Sequence, residues 1–185
     1  APIDHARIGE IHKALKAKLC NISIVGMPSS GKTTIGKALA EKLGKTFVDL
    51  DEEIVRRAGK SIPDIFAQEG EAAFRLLETE AAAEAAKHTG QVISCGGGIV
   101  KTPGNARLLR QNGPVLWICR PLEALTVGGG RPLSSSREAL EKMEAERLPL
   151  YRAAADGIVE NSGSLNQAIT AAEEVFYEIL DSERA

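Results

Sequence analysis

Five short apolar runs are spaced along the chain: NISIVG at 21–26, TFVDL at 46–50, QVISCG at 91–96, PVLWIC at 114–119 and GIVE at 157–160. Each is too brief for a helix and nearly continuous in apolar character, so each predicts a strand buried on both faces. Helical patterns fill the gaps. GKTTIGKALAEKLG at 31–44 stops at a glycine, and EAAFRLLETEAAAEAAKH at 71–88 is built from strong helix formers. SLNQAITAAEEVFYEIL at 164–180 opens on a Ser-x-x-Gln capping box, Ser164 with Gln167. Ahead of the first strand, IDHARIGEIHKALKAKL at 3–19 sets Ile8, Ile11, Leu15 and Leu19 at helical spacing and predicts an N-terminal docking helix. The alternation predicts an α/β fold, a parallel sheet wrapped by helices on both faces, with ligands gathered beyond the C-terminal ends of the strands.

Composition changes this picture little. The chain of 185 residues, 43% hydrophobic, suits one domain with one substantial core. Lys and Arg total 23 against 25 Asp and Glu, a net charge of −2 without long single-sign blocks, so no general affinity for nucleic acid or anionic lipid is expected. Any anion must be held by a local site. Cys20, Cys95 and Cys119 show neither metal-ligand spacing nor an even disulfide count and read as reduced thiols. No run is long enough to span a membrane and no secretory pattern opens the chain, so a soluble, cytoplasmic protein is expected. The start at Ala1 with a helix before the first strand fits a piece of a larger chain and a processed start equally well. The expected division is an N-terminal helix, 1–20, serving as a linker if the parent chain is longer, and a main domain at 21–185.

The first strand end carries the strongest chemistry. Gly26, Met27, Pro28, Ser29, Ser30, Gly31, Lys32 and Thr33 satisfy G-x-x-x-x-G-K-[ST] between a strand and a helix, the context that motif requires. The glycines permit a tight loop, successive N–H groups and the helix N-terminus hold phosphates, Lys32 neutralises the β and γ oxygens and Thr33 offers magnesium a hydroxyl. Thr34 follows within the same helix turn. A nucleoside triphosphate site is expected.

The later strand ends add an acceptor. On an extended strand Asp49 and Asp51 would point to one side near the phosphates, one to hold water around magnesium and one to receive an attacking hydroxyl's hydrogen bond. The plainer explanation is acidic residues opening a helix. Neither DxxG nor [NT]KxD follows, which argues against a GTPase. Arg75, three residues before Glu78, is placed for that carboxylate to hold its guanidinium while the fork meets an anion; an exposed helix arginine would look the same. Gly96, Gly97 and Gly98 follow the third strand, where missing side chains would let a polar ligand reach backbone N–H groups. Arg147 lies near the end of a helix that Pro149 is expected to terminate. TVGGGRPLSSSRE at 126–138 has the composition of a linker, but Arg131 at its centre suggests a moving part, with Ser135 and Glu138 placed as a capping box for the next helix.

The order GxxxxGKT, FxDxD, GExxFRxxE, GGG, RPL, RxPLYR resembles the shikimate kinase family, from about Asn21 to the C-terminal helix. That resemblance implies a three-layer P-loop kinase fold with a five-stranded parallel sheet, a mobile lid and, here, an extra N-terminal helix. It implies ATP-dependent phosphorylation of the 3-hydroxyl of shikimate, with Mg2+ and ATP, in a monomer, no nucleic acid or membrane partner, and membership of a longer shikimate-pathway chain if the start is a cut. Asp51 would be the base or orienting group, and Lys32 and Arg131 would stabilise charge on the transferring phosphoryl group. Asp51, Arg75, Gly96, Gly97, Gly98 and Arg147 would bind the acceptor. The loop 26–34 with Arg131 would bind the nucleotide, and Thr33 with Asp49 the metal. Two departures stand out. The stretch before Arg131 is shorter than usual and lacks a second arginine expected near adenine, and serines follow RPL where the family continues with leucine. Two alternatives remain: a related kinase acting on another acid such as gluconate, and a nucleotide-binding regulatory module.

Overall fold

The structure is a computed structural model that describes residues 4–126 and 136–182. Chain order is α1 (His5–Leu19), β1 (Ile22–Val25), α2 (Lys32–Leu43), β2 (Thr46–Asp49), α3 (Leu50–Ala58), α4 (Ile62–Ala86), β3 (Gln91–Ser94), α5 (Asn105–Leu109), β4 (Val115–Cys119), α6 (Arg137–Ala154), β5 (Gly157–Glu160) and α7 (Leu165–Ser182). The strands pair in parallel in the order β2-β3-β1-β4-β5. Because side chains alternate along a strand, each central strand feeds two cores. Ile22 and Ile24 of β1, Val92 of β3, and Leu116 and Ile118 of β4 pack with Ile35, Leu39 and Phe176 from α2 and α7. Val25, Ile93, Val115 and Trp117 face the opposite core, with Leu50, Ile65, Phe74, Leu140 and Tyr151 from α3, α4 and α6. The three-layer α/β expectation holds.

The two-faced burial expected of all five strands holds for β1, β3 and most of β4 but not for β2 and β5. These are the sheet edges, so Thr46 and Ile158 reach solvent. Four helix expectations also shift. The helix expected at 71–88 is the second half of α4, whose two runs meet at Gly70, φ 85° and ψ 173°, and it ends at Ala86. Pro149 lies inside α6 and does not end it; the helix continues to Ala154. Its N-cap is Ser136, which accepts from the Ala139 N–H at 3.1 Å, whereas the Ser135 cap falls outside the described residues. The Ser164–Gln167 box forms as read, with bonds of 2.8 and 3.2 Å, a device worth about 1 kcal/mol.

The fourth shift concerns α1, which docks through the face opposite its apolar row. Ile8, Ile11, Leu15 and Leu19 are 47–59% exposed. The contacts come from Lys13, paired with Asp181 at 2.6 Å, and from Lys45, whose ammonium donates to the terminal carbonyls of Ala17, Lys18 and Cys20 at 2.5–3.1 Å. A cation on those orphan carbonyls suits the negative end of the helix dipole.

Candidate active site

Everything of chemical interest lies at the C-terminal edge of the sheet, where β1, β2, β3 and β4 release their chains around one cleft of about 390 Å³. The 26–33 loop turns tightly because Gly26 has no side chain; a Cβ there would stand 2.5 Å from the Ile118 carbonyl of β4. Pro28, Ser29, Gly31, Lys32, Thr33 and Thr34 line the cleft. Gly26, Met27 and Ser30 instead build the loop. The Lys32 ammonium donates to the Gly26 and Met27 carbonyls at 2.9 and 2.7 Å, Asn161 beyond β5 donates to the Ser30 carbonyl at 2.9 Å, and the Met27 side chain joins the core.

Asp49 ends β2 and caps α3, accepting from the Asp51 N–H at 3.0 Å, so the plainer reading of this acidic pair is also correct. Asp51 belongs to the first helical turn, not to an extended strand, and reaches the cleft by the turn's direction. The free side of Asp49 accepts from the Thr33 hydroxyl at 3.0 Å, bringing together the two residues expected at a metal.

The end of the cleft expected to take the acceptor gathers a cluster of charge, with Glu78 and Arg147 buried at its heart. Arg75 donates to Glu78, as its spacing predicts, and to Glu71 at 3.0 and 3.2 Å. Lys101 bridges Glu71 at 3.0 Å and Glu146 at 3.3 Å, tying α4 to the helix that carries Arg147. Arg147 is 3% exposed and its Nε has no hydrogen-bond partner among the described residues; Glu78 is 1% exposed and its Oε1 likewise has none. The three glycines make this crowding possible. A Cβ at Gly96 would lie 2.7 Å from Glu78 and 2.8 Å from Asp51, at Gly97 2.9 Å from Pro28 and 3.2 Å from Arg147, and at Gly98 2.2 Å from Arg75. Part of the space expected for a ligand is therefore taken by the charged side chains that would hold it. Tyr151, one turn after Arg147, donates to the Gly97 carbonyl at 2.5 Å and stacks on Trp117; burial pushes its hydroxyl up to about 12. Burial likewise pushes the Cys95 thiol far above its usual value, leaving it unreactive.

Burial pushes the Glu78 carboxyl above the ordinary carboxylate range; Arg75 pulls it down, Asp51 adds to the rise and Arg147 opposes it. Burial disfavours the Arg75 charge too, but its two glutamates outweigh this and raise its pKa. The pair is unequal because Glu78 is the more deeply buried partner. The fold therefore disfavours the ionised form of Glu78, a penalty present above its raised pKa and absent below the unfolded one. The thermal midpoint of Glu78→Gln relative to the parent chain is expected to be more favourable at pH 8 than at pH 5. Equal differences at both pH values would contradict this.

Arg131, with the rest of the expected lid, lies outside the described residues. All other expected acceptor, catalytic and metal residues meet in the one cleft. Sequence reasoning missed Arg120, which lines the cleft, and the apolar wall of Phe66 and Phe74, ring centroids 4.8 Å apart. Arg120 and Asn161 follow the apolar runs of β4 and β5 directly, so the rule that ligands gather at strand ends was the signal for both. Phe66 had no such signal, since Gly70 hides the first run of α4.

The loop built on β1 opens on the same cleft as Asp51 of α3, Arg75 of α4 and Arg147 of α6, beside a parallel sheet, which is the arrangement of a P-loop phosphotransferase. Residues 28–182 match the family model described as shikimate kinase. The shikimate kinase of Nitrosomonas europaea is 42% identical over 148 residues, covering 76% of this chain and 70% of that protein. The solved shikimate kinase of Acinetobacter baumannii in complex with shikimate superposes with a TM-score of 0.82 at 34% identity, covering 94% of this chain and 99% of that one. A gluconokinase from Sinorhizobium meliloti, at 16% identity and a TM-score of 0.51 over 90% of this chain and 97% of its own, shares the fold alone. The chain belongs to the shikimate kinase family and is an ATP-dependent kinase.

Proposed function

We infer that the chain transfers the γ-phosphoryl group of ATP to the 3-hydroxyl of shikimate, giving shikimate 3-phosphate and ADP in aromatic amino acid biosynthesis. The observation that carries this reading is the sharing of one cleft by the phosphate loop, Asp51 and the arginines Arg75 and Arg147. Two arginines suit a planar carboxylate, and an aspartate with backbone groups of the glycine turn suits hydroxyls. A neutral polyol would leave the Arg147 guanidinium buried without an anion, a cost that discriminates against it.

Phosphoryl transfer asks the protein mainly to position its reactants and balance charge. Asp51 orients the acceptor hydroxyl and takes up its proton as the bond to phosphorus forms. Lys32 exchanges the Gly26 and Met27 carbonyls for phosphate oxygens, so the loop holds it ready before the nucleotide binds. Arg131 is assigned to the transferring group from its RPL motif alone. Thr33 and Asp49 fit magnesium: a hydroxyl and a carboxylate already 3.0 Å apart suit a cation that keeps most of its water. Bound there, magnesium supplies charge neutralisation across the β and γ phosphates.

A monomer in the cytoplasm is part of this proposal. The reaction draws on ATP, the three cysteines are free thiols, and no described helix is long and apolar enough to cross a membrane. So is the division of the chain at residue 20, since α1 buries no residue of its own. ADP release measured with shikimate, with gluconate and with neither tests the activity. It is expected to depend strictly on shikimate. Turnover that gluconate supports equally, or that needs no acceptor, would sink the assignment.

A further inference from the structure

We propose that Arg120 is a second resident cation for the polyphosphate of the bound nucleotide, acting on the phosphate loop apart from Lys32. The inference rests on the assignment of residues 26–33 to that polyphosphate. Arg120 follows β4, the strand that pairs with β1 on the side away from β3, so it leaves the sheet next to the loop. Its Nη1 donates to the Ser29 carbonyl at 3.2 Å. Lys32 holds the carbonyls of Gly26 and Met27. The two cations thus grip different parts of one loop. Ser29 is the one described non-glycine residue with a left-handed backbone, φ 64°, so the Arg120 bond also steadies the loop where it is most strained.

Three further observations turn this brace into a ligand contact. Arg120 lines the same cleft as Lys32, Thr33 and Asp51. It makes no ion pair with a carboxylate among the described residues, whereas Arg75, nearby, is held by two. Among the described residues, one of its five N–H donors is on Ser29, which leaves the planar fork with donors for an anion. Pro121 comes next, and a residue before proline is confined to extended backbone, so the base of the side chain is fixed before any ligand arrives. The atom it touches belongs to the loop that surrounds phosphates, which places the guanidinium at the level of the phosphate chain and not of the purine. Arg131 lies outside the described residues, whereas Arg120 lines the cleft in the structure.

The test is calorimetric titration of the parent chain, Arg120→Met and Arg120→Gln with ADP, AMP and inorganic tripolyphosphate in the presence of magnesium, alongside thermal midpoints and the KM for shikimate. Removing the charge is expected to weaken ADP and tripolyphosphate roughly tenfold to hundredfold, the range for a hydrogen bond to a charged group, with AMP and the shikimate KM little changed. Arg120→Gln keeps a donor for the Ser29 carbonyl without the charge, and it is expected to lose as much affinity as Arg120→Met. Parent-like affinity in Arg120→Gln would reduce Arg120 to a brace and overturn the proposal. Equal loss of AMP and ADP with tripolyphosphate untouched would also overturn it, by making Arg120 a reader of the nucleoside. A parent chain that binds neither ADP nor tripolyphosphate would overturn instead the assignment of the loop itself.

Discussion

Asp51→Asn is expected to lower kcat by roughly two to four powers of ten, the usual range for losing a positioned general base, while ADP affinity stays near that of the parent chain. The substitution preserves shape. Asp51 stands in the first turn of α3, its backbone N–H bound to Asp49 at 3.0 Å, and Gly96 leaves room beside its side chain for a group of the same size. It also removes a like charge from beside Glu78, whose carboxyl Asp51 helps to push upward, so the thermal midpoint should be unchanged or raised. Steady-state kinetics with a parallel ADP titration separate the roles. A kcat within a few-fold of the parent would remove Asp51 from the chemistry, and a parallel loss of ADP binding would place it in the nucleotide site.

Arg147→Met should raise the KM for shikimate by roughly a hundredfold and leave the KM for ATP alone. The size follows from the loss of one partner of a buried charged contact, about 2–5 kcal/mol. Arg147 is a clean probe because its guanidinium is deeply buried with Nε unpartnered, so a thioether of similar length replaces a cation that the fold holds at a cost. Arg75→Ala is a less clean probe, since truncation strands Glu78, buried, without its main partner. If Arg147→Met changed both KM values equally, the carboxylate clamp would have to be sought elsewhere in the cleft.

The five strand positions were legible because apolar runs bounded by turns and helices have few ways to fold. The phosphate loop was legible because its glycines, lysine and threonine must be adjacent in sequence to surround a phosphate. The acceptor site was legible only in part. Arg75 and Glu78 lie three apart on a helix and meet through that local geometry, so their pairing could be foreseen. Arg147, some seventy residues later, joins them through packing of α6 on the same face of the sheet as α4, which no local spacing encodes. Arg120 had only its place after the β4 run to mark it, since a lone arginine before a proline carries no motif; its meaning lies in the Ser29 carbonyl, ninety-one positions away in sequence.

By itself, the sequence determined the parallel α/β class, the nucleotide loop and the family of chemistry, because these follow from periodicity and from residues adjacent along the chain. Only the tertiary structure decided which strands are edges, that α1 turns its apolar row outward, and that Asp51 enters the site from a helix turn. It also decided that the glycine turn makes room for charged side chains as well as for ligand. The physical reason is common to all four. Burial and charge pairing depend on which elements pack together, so even the local turn that Asp49 caps ahead of Asp51 takes its place in the cleft only from neighbours distant in sequence.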